Sequence, residues 1–150
     1  MKNAFLCWEK WQNRNGMHYA NFPGIYAIAY SKINLAGQNF SWIEQVIYIG
    51  MTNSKGVLKS RLGQFDRTIN GGTGHGGARR VRRKYKNYKS LIKNLYVSIL
   101  PFKCEQTSIL PKDLIVMGEV AKHEYVSWAH YVKRFGQLPE FNDKKRSPKD

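Results

Sequence analysis

Five side chains could do chemistry together: Tyr26, Tyr48, Arg61, Glu124 and Asn142. A phenol relays or accepts a proton when neighbouring cations lower its pKa, and the chain is rich in cations. Tyr26 follows Pro23-Gly24, and Tyr48 precedes Gly50, where the backbone is expected to leave its sheet and admit a ligand. Arg61 stays charged at every working pH and suits a phosphate whose charge grows in a transition state. Glu124 shares a helical face with Val120, Trp128, Tyr131 and Val132, so its carboxylate needs a partner. That partner is either the cation of a buried salt bridge or a hard metal ion; one carboxylate with phosphate oxygens and waters is a Mg²⁺ arrangement. Glu119 is the rival acid on another face of the same helix.

The elements that must hold these groups follow from periodicity. Phe5, Trp8 and Trp11 recur every third residue and predict a short aromatic-faced helix over residues 4–14. Strands are predicted at Ile25–Tyr30, Val46–Ile49 and Leu95–Leu100, the first two as an antiparallel hairpin. Leu58, Leu62 and Phe65 mark a helix over Val57–Phe65, and Ala78, Val81, Tyr85 and Tyr88 another over Ala78–Tyr88. Pro111 opens the longest helix, which should end near Phe135 at Gly136. The class is therefore mixed α/β, more narrowly α+β: a small three-stranded antiparallel sheet flanked by helices. One domain is expected over residues 1–150, with a core at about 22–142 and a basic tail at 143–150.

Charge narrows the partners. Lys and Arg number 25 against 10 Asp and Glu, a formal balance of +15. Such a field concentrates polyanions, nucleic acid first among them. No acid occurs between Asp66 and Glu105, while that stretch holds ten basic residues. Arg79, Arg80, Arg82, Arg83, Lys84 and Lys86 lie there within one predicted helix, where like charges repel at i, i+4. A phosphate-binding face explains that better than a solvated one. Before it, Asn70–Gly77 holds five glycines around His75, a loop whose backbone N–H groups suit anions. Cys7 and Cys104 are far apart and without Cys/His company, so free thiols are expected and a structural zinc is not. No apolar run matches a signal peptide or membrane span, which predicts a cytoplasmic protein with no membrane partner.

Gly24-Ile25-Tyr26 and Tyr48-Ile49-Gly50 on two strands, Arg61 in the next helix, Glu124 in the late helix, and Asn142 in Gly136-Gln-Leu-Pro-Glu-Phe-Asn142 together resemble the GIY-YIG nuclease family. The resemblance spans residues 24–142. It implies a metal-dependent endonuclease that hydrolyses phosphodiester bonds, usually of DNA, with restriction-like or mobile-element roles by analogy. It implies Tyr48 as general base or water orienter, Tyr26 at the phosphate, and Arg61 on the transition-state charge. Glu124 would hold one Mg²⁺ or Mn²⁺ at the leaving oxygen, and Asn142 would brace the glutamate region or the metal shell. Where many members carry a helper Lys or His, this chain has Met51 and Phe65, so Lys55, Lys59 or His75 stand in. Duplex DNA is the implied partner, and a homodimer on DNA stays open. The alternatives are a nucleic-acid-binding protein without activity and an RNA-directed nuclease.

Overall fold

The computed structural model describes residues 4–143. Four antiparallel strands form one sheet in the order β1-β4-β2-β3: β1 Glu9–Lys10, β2 Gly24–Tyr30, β3 Val46–Thr52 and β4 Leu95–Pro101. Four α-helices accompany them: α1 Leu58–Ile69, α2 Gly76–Lys84, α3 Tyr88–Lys93 and α4 Pro111–Phe135. The α+β class is as expected, but the sheet has four strands, not three. No helix among the described residues is long and apolar enough to cross a membrane.

The fourth strand comes from the segment read as an aromatic helix. Residues 4–8 form no helix, and Glu9 and Lys10 pair with Val97 and Tyr96. Only Trp11–Gly16 turns, as a 3-10 helix. The aromatic spacing had another cause: Trp8 and Trp11 enter different cores on opposite faces of the sheet. Leu6 donates its N–H to the Ile99 carbonyl and accepts from the Ser98 hydroxyl, so backbone demands are met by β4 rather than by a helix.

Strand alternation makes the two cores. Tyr26, Ile28, Tyr48, Val97 and Ile99 face α1 and α2. Ile25, Ala27, Ile49 and Leu100 face α4, where Val120, Trp128 and Tyr131 cover them. Pairing shifts by one residue between Ile28, opposite Tyr48, and Ala29, opposite Val46. The extra residue, Ile47, makes a bulge, and it joins Tyr48 in the α1-side core. Contrary to expectation, Gly50 stays in the sheet opposite Tyr26, and β3 runs on to Thr52.

Helix ends obey local chemistry. α1 outruns its expected end at Phe65 because Ile69 continues the buried stripe, and the chain then turns at Gly71, whose φ is +107°. The basic helix is shorter than expected: it stops at Lys84, and a second helix begins after Asn87, whose side chain accepts from the Ser90 N–H. α4 begins at Pro111 and ends at Gly136 in the left-handed region, as the sequence predicts.

β3 lies at the sheet edge, where unpaired N–H and C=O groups invite foreign strands. The segment after α4 closes it. Phe141 donates its N–H to the Ile47 carbonyl at 3.0 Å. The Asn142 carboxamide then takes both backbone groups of Ile49: Oδ1 accepts from the N–H at 2.9 Å and Nδ2 donates to the carbonyl at 2.8 Å. Asn142→Ala should therefore cost about 1–3 kcal/mol by orphaning edge groups. Urea denaturation checks it; an unchanged midpoint would show that this strap adds nothing.

Candidate functional site

The Tyr48 ring lies between two glycines. A side chain at Gly77 would place its Cβ 2.4 Å from the Tyr48 ring. At Gly50 it would meet the Tyr26 hydroxyl at 2.5 Å and the Tyr48 ring at 2.8 Å. Gly50 thus lets the phenols cross the sheet surface, and Gly77 brings α2 down onto Tyr48. The two rings lie 6.1 Å apart by their centroids.

His75 completes the buried cluster. It N-caps α2, its Nδ1 accepting from the Ala78 N–H at 3.2 Å. Its Nε2 lies 2.7 Å from the Tyr26 hydroxyl oxygen. Burial, with Arg61 and Arg80 nearby, pulls its pKa down to about 2, so the ring is neutral. With Nδ1 accepting, the single ring proton is on Nε2, and His75 donates to Tyr26. Phe65, one turn past Arg61, packs edge-on against the imidazole at 4.9 Å. His75 is therefore an orienting donor inside the core, neither a loop contact for a phosphate nor a base ready to take a proton from Tyr26.

Arg61 ties the group together from α1. Its charge lowers the pKa of Tyr26, Tyr48, His75 and Glu124 alike, so the guanidinium lies within reach of all four. Gln64, one turn on, accepts from Arg61 Nη1. Gln64 also packs against Gly74, where an added Cβ would come 2.8 Å from Nε2. The field does not produce the acidic phenols that the sequence suggests. Burial dominates, raising Tyr26 to about 12 and Tyr48 well above 10 despite the guanidinium. Both are phenols at neutral pH, not stored phenolates.

Glu124 reaches the same place from the other core. α4 runs alongside β3: Asn53 donates to the Met117 carbonyl, Trp128 to that of Ile49 and Tyr131 to that of Val46. Glu124, between Met117 and Trp128, is level with the stretch around Gly50. It is 1% exposed, and its charge raises both tyrosines. Burial lifts its own pKa to about 7, with Arg61 opposing. It accepts no hydrogen bond and makes no close ion pair among the described residues. Neither oxygen is therefore committed to a donor among those residues. No group of three or more His, Cys, Asp or Glu converges among those residues. One carboxylate completed by water and phosphate oxygens suits Mg²⁺ or Mn²⁺. Glu119 is exposed and pairs with His123 at 3.8 Å.

The remaining candidates separate. Asn142 is committed to the Ile49 backbone, so it positions Tyr48 and Gly50 from behind rather than joining a metal shell. Lys59 sits two residues before Arg61, on a different side of α1, and faces a separate cleft. Lys55 is exposed in the turn before α1. On α2, Arg80 donates from Nε and Nη2 to the Phe141 carbonyl, at 3.0 and 2.9 Å. Arg82 donates to the Gly72 carbonyl at 3.1 Å, and Lys84 pairs with Glu140 at 2.7 Å. These three make contacts within the protein itself, Lys84 at the surface, where Arg79, Arg83 and Lys86 are exposed with it. Sequence reading missed Gln64 and Gly77. The spacing of Gln64 from Arg61 and the glycine-rich loop were the available signals. Comparison of the chain with family models, curated proteins and solved structures returns no match.

Ala exceeds Gly in a helix by about 1 kcal/mol, so Gly118→Ala, open on α4, should stabilise. Gly77→Ala should instead destabilise by roughly 1–3 kcal/mol, because its methyl meets Tyr48. Thermal melts of the two variants decide it; a gain at both positions would mean α2 does not press on Tyr48.

Glu124 also gives a pH signature. Its folded pKa lies above the ordinary 4.5, so the native state binds a proton that the unfolded chain releases. Its contribution to stability therefore falls as pH rises from 4.5 to about 7, by about 3 kcal/mol at most. Glu124→Gln should match wild type at the acid end of that window and exceed it in Tm above pH 7. A constant Tm difference across the range would refute the buried, unpaired carboxylate. His75 works in the opposite sense, its neutral form losing stability as pH falls below 6.5.

Proposed function

We propose that the protein is a Mg²⁺- or Mn²⁺-dependent endonuclease that hydrolyses phosphodiester bonds of nucleic acid, with duplex DNA the foremost substrate. The observation that carries this reading is the convergence of Arg61, from α1, and Glu124, from α4, on the phenols of β2 and β3. A core needs no such group: burying a guanidinium's field, an unpaired carboxylate and two phenols together costs stability. The likeness to GIY-YIG nucleases in the order Tyr26, Tyr48, Arg61, Glu124 and Asn142 supports the same conclusion.

The residues divide the work by their chemistry. Arg61 stabilises the charge that gathers on the phosphoryl oxygens as water attacks and the leaving oxygen departs. Tyr26, held by the Nε2–H of His75, keeps a fixed oxygen beside that charge. Tyr48 is protonated at rest, so it orients the attacking water rather than acting as a preformed base. Glu124 would hold the metal, which when bound supplies Lewis-acid stabilisation at the leaving oxygen. His75 takes the place of the missing helper by orientation, since Phe65 occupies the site one turn beyond Arg61.

Nicking of supercoiled plasmid with Mg²⁺ tests this. Wild type should cut, and Arg61→Ala and Glu124→Ala should each lose on the order of 10²–10³-fold in rate. Tyr48→Phe should lose about 10²-fold or more while still binding DNA. Undiminished cutting by the Arg61 and Glu124 variants would remove the assigned roles. The burial of both phenols favours one rival, a protein that binds nucleic acid without cutting it. Salt-sensitive binding with no cleavage of DNA or RNA, with or without metal, would establish that rival instead.

A further inference from the structure

A concave surface lies on the helix that carries Arg61. Between the 3-10 helix and α1 is a cleft of about 460 Å³, walled by Arg14, Lys59, Ser60, Gly63, Asp66 and Arg67 among others. Its one acid is already neutralised. Asp66 accepts from Trp11 Nε1 at 2.8 Å and the Tyr88 hydroxyl at 2.9 Å, and pairs with Arg14 Nη2 at 3.1 Å. Arg14 also donates from Nη1 to the Trp11 carbonyl at 3.2 Å, and its buried Nε has no acceptor. Lys59 and Arg67 are exposed and make no ion pair among the described residues. Gly63, between them on the same stripe of α1, keeps the floor open, with only Arg67 Nη1 near its missing side chain.

Three cations around one spent carboxylate leave a positive concavity, and concave walls focus such a field. Its position on α1 links it to the first site. Around the helix, Arg61 is followed by Gln64, then by Ser60 and Arg67, then by Gly63 and Lys59. Lys59 and Arg67 are eight residues apart, about 12 Å along the helix axis. One strand of duplex rises about 3.4 Å per phosphate, so the cleft is long enough for roughly three consecutive phosphates.

We propose that this cleft is a second nucleic-acid-binding site, gripping the phosphodiester backbone that flanks the linkage held by Arg61. It rests on the nuclease reading and assigns that enzyme a substrate track across α1, with α2 no longer its main basic face. The contacts are to phosphate, so they position the substrate without reading sequence.

Affinity for a labelled duplex and for a single-stranded RNA, measured in EDTA between about 50 and 200 mM salt, tests it. Lys59→Ala/Arg67→Ala should lower the slope of log affinity against log salt by about two, one per lost phosphate contact. Gly63→Asp, which sets a negative charge on the floor, should weaken binding by about tenfold or more. Melting curves confirm folding, and the Gly63 variant serves if the double variant folds poorly. Wild type that binds and nicks, with slopes unchanged in the variants, overturns the cleft and leaves the nuclease intact. Wild type that binds neither nucleic acid overturns both. Variants that lose affinity for phosphatidylserine vesicles but keep it for the duplex overturn the cleft in favour of a membrane surface.

Discussion

A guanidinium set among two buried phenols, a neutral imidazole and an unpaired carboxylate is the constraint around which this molecule is built. Each group would be cheaper in water. Burial raises the pKa of both tyrosines and of Glu124 and depresses that of His75, so each is pushed toward neutrality. Only Arg61 keeps its charge whatever surrounds it. The cluster is therefore a positive point in buried surroundings, where an anion brought against it would meet little screening.

Holding that cluster takes structure from every layer. Gly50 keeps β3 bare so that the phenols can lie across it, and Gly77 lets α2 close over the ring of Tyr48. His75 joins two tasks in one ring, capping α2 with Nδ1 while steering Tyr26 with Nε2. Behind the strand, Asn142 and Trp128 both meet the Ile49 carbonyl, at 2.8 and 3.4 Å, so the residue between Tyr48 and Gly50 is held at the sheet edge. The site is thus stiffened by ordinary hydrogen bonding to an edge strand.

The basic residues serve two purposes that composition does not separate. Arg80 and Arg82 face inward to loop carbonyls, and Arg80 also adds its field to Tyr48 and His75. Guanidinium groups suit this because their fixed fork of donors satisfies main-chain oxygens that no helix or strand reaches. Arg67 and Lys59 stand exposed on α1. A run of positive charge in a sequence says little about which cations point at a partner, because helix phase and nearby carbonyls make that choice.

Much was legible before any coordinates. Glycine and proline punctuation located the ends of α4, runs of β-branched and aromatic residues located β2, β3 and β4, and an apolar stripe located α1. These are local signals, carried by backbone geometry and by the period of burial. What needed the tertiary structure was every property set by contacts distant in sequence. Trp8 and Trp11 belong to opposite cores because β1 pairs with β4. His75 is buried because α2 docks on Tyr48, and the phenols are held above their ordinary pKa because that docking excludes water. Amino-acid order by itself determined which groups are present and on which elements. Packing alone decided their protonation and their partners, since desolvation and hydrogen bonding depend on neighbours brought together from across the chain.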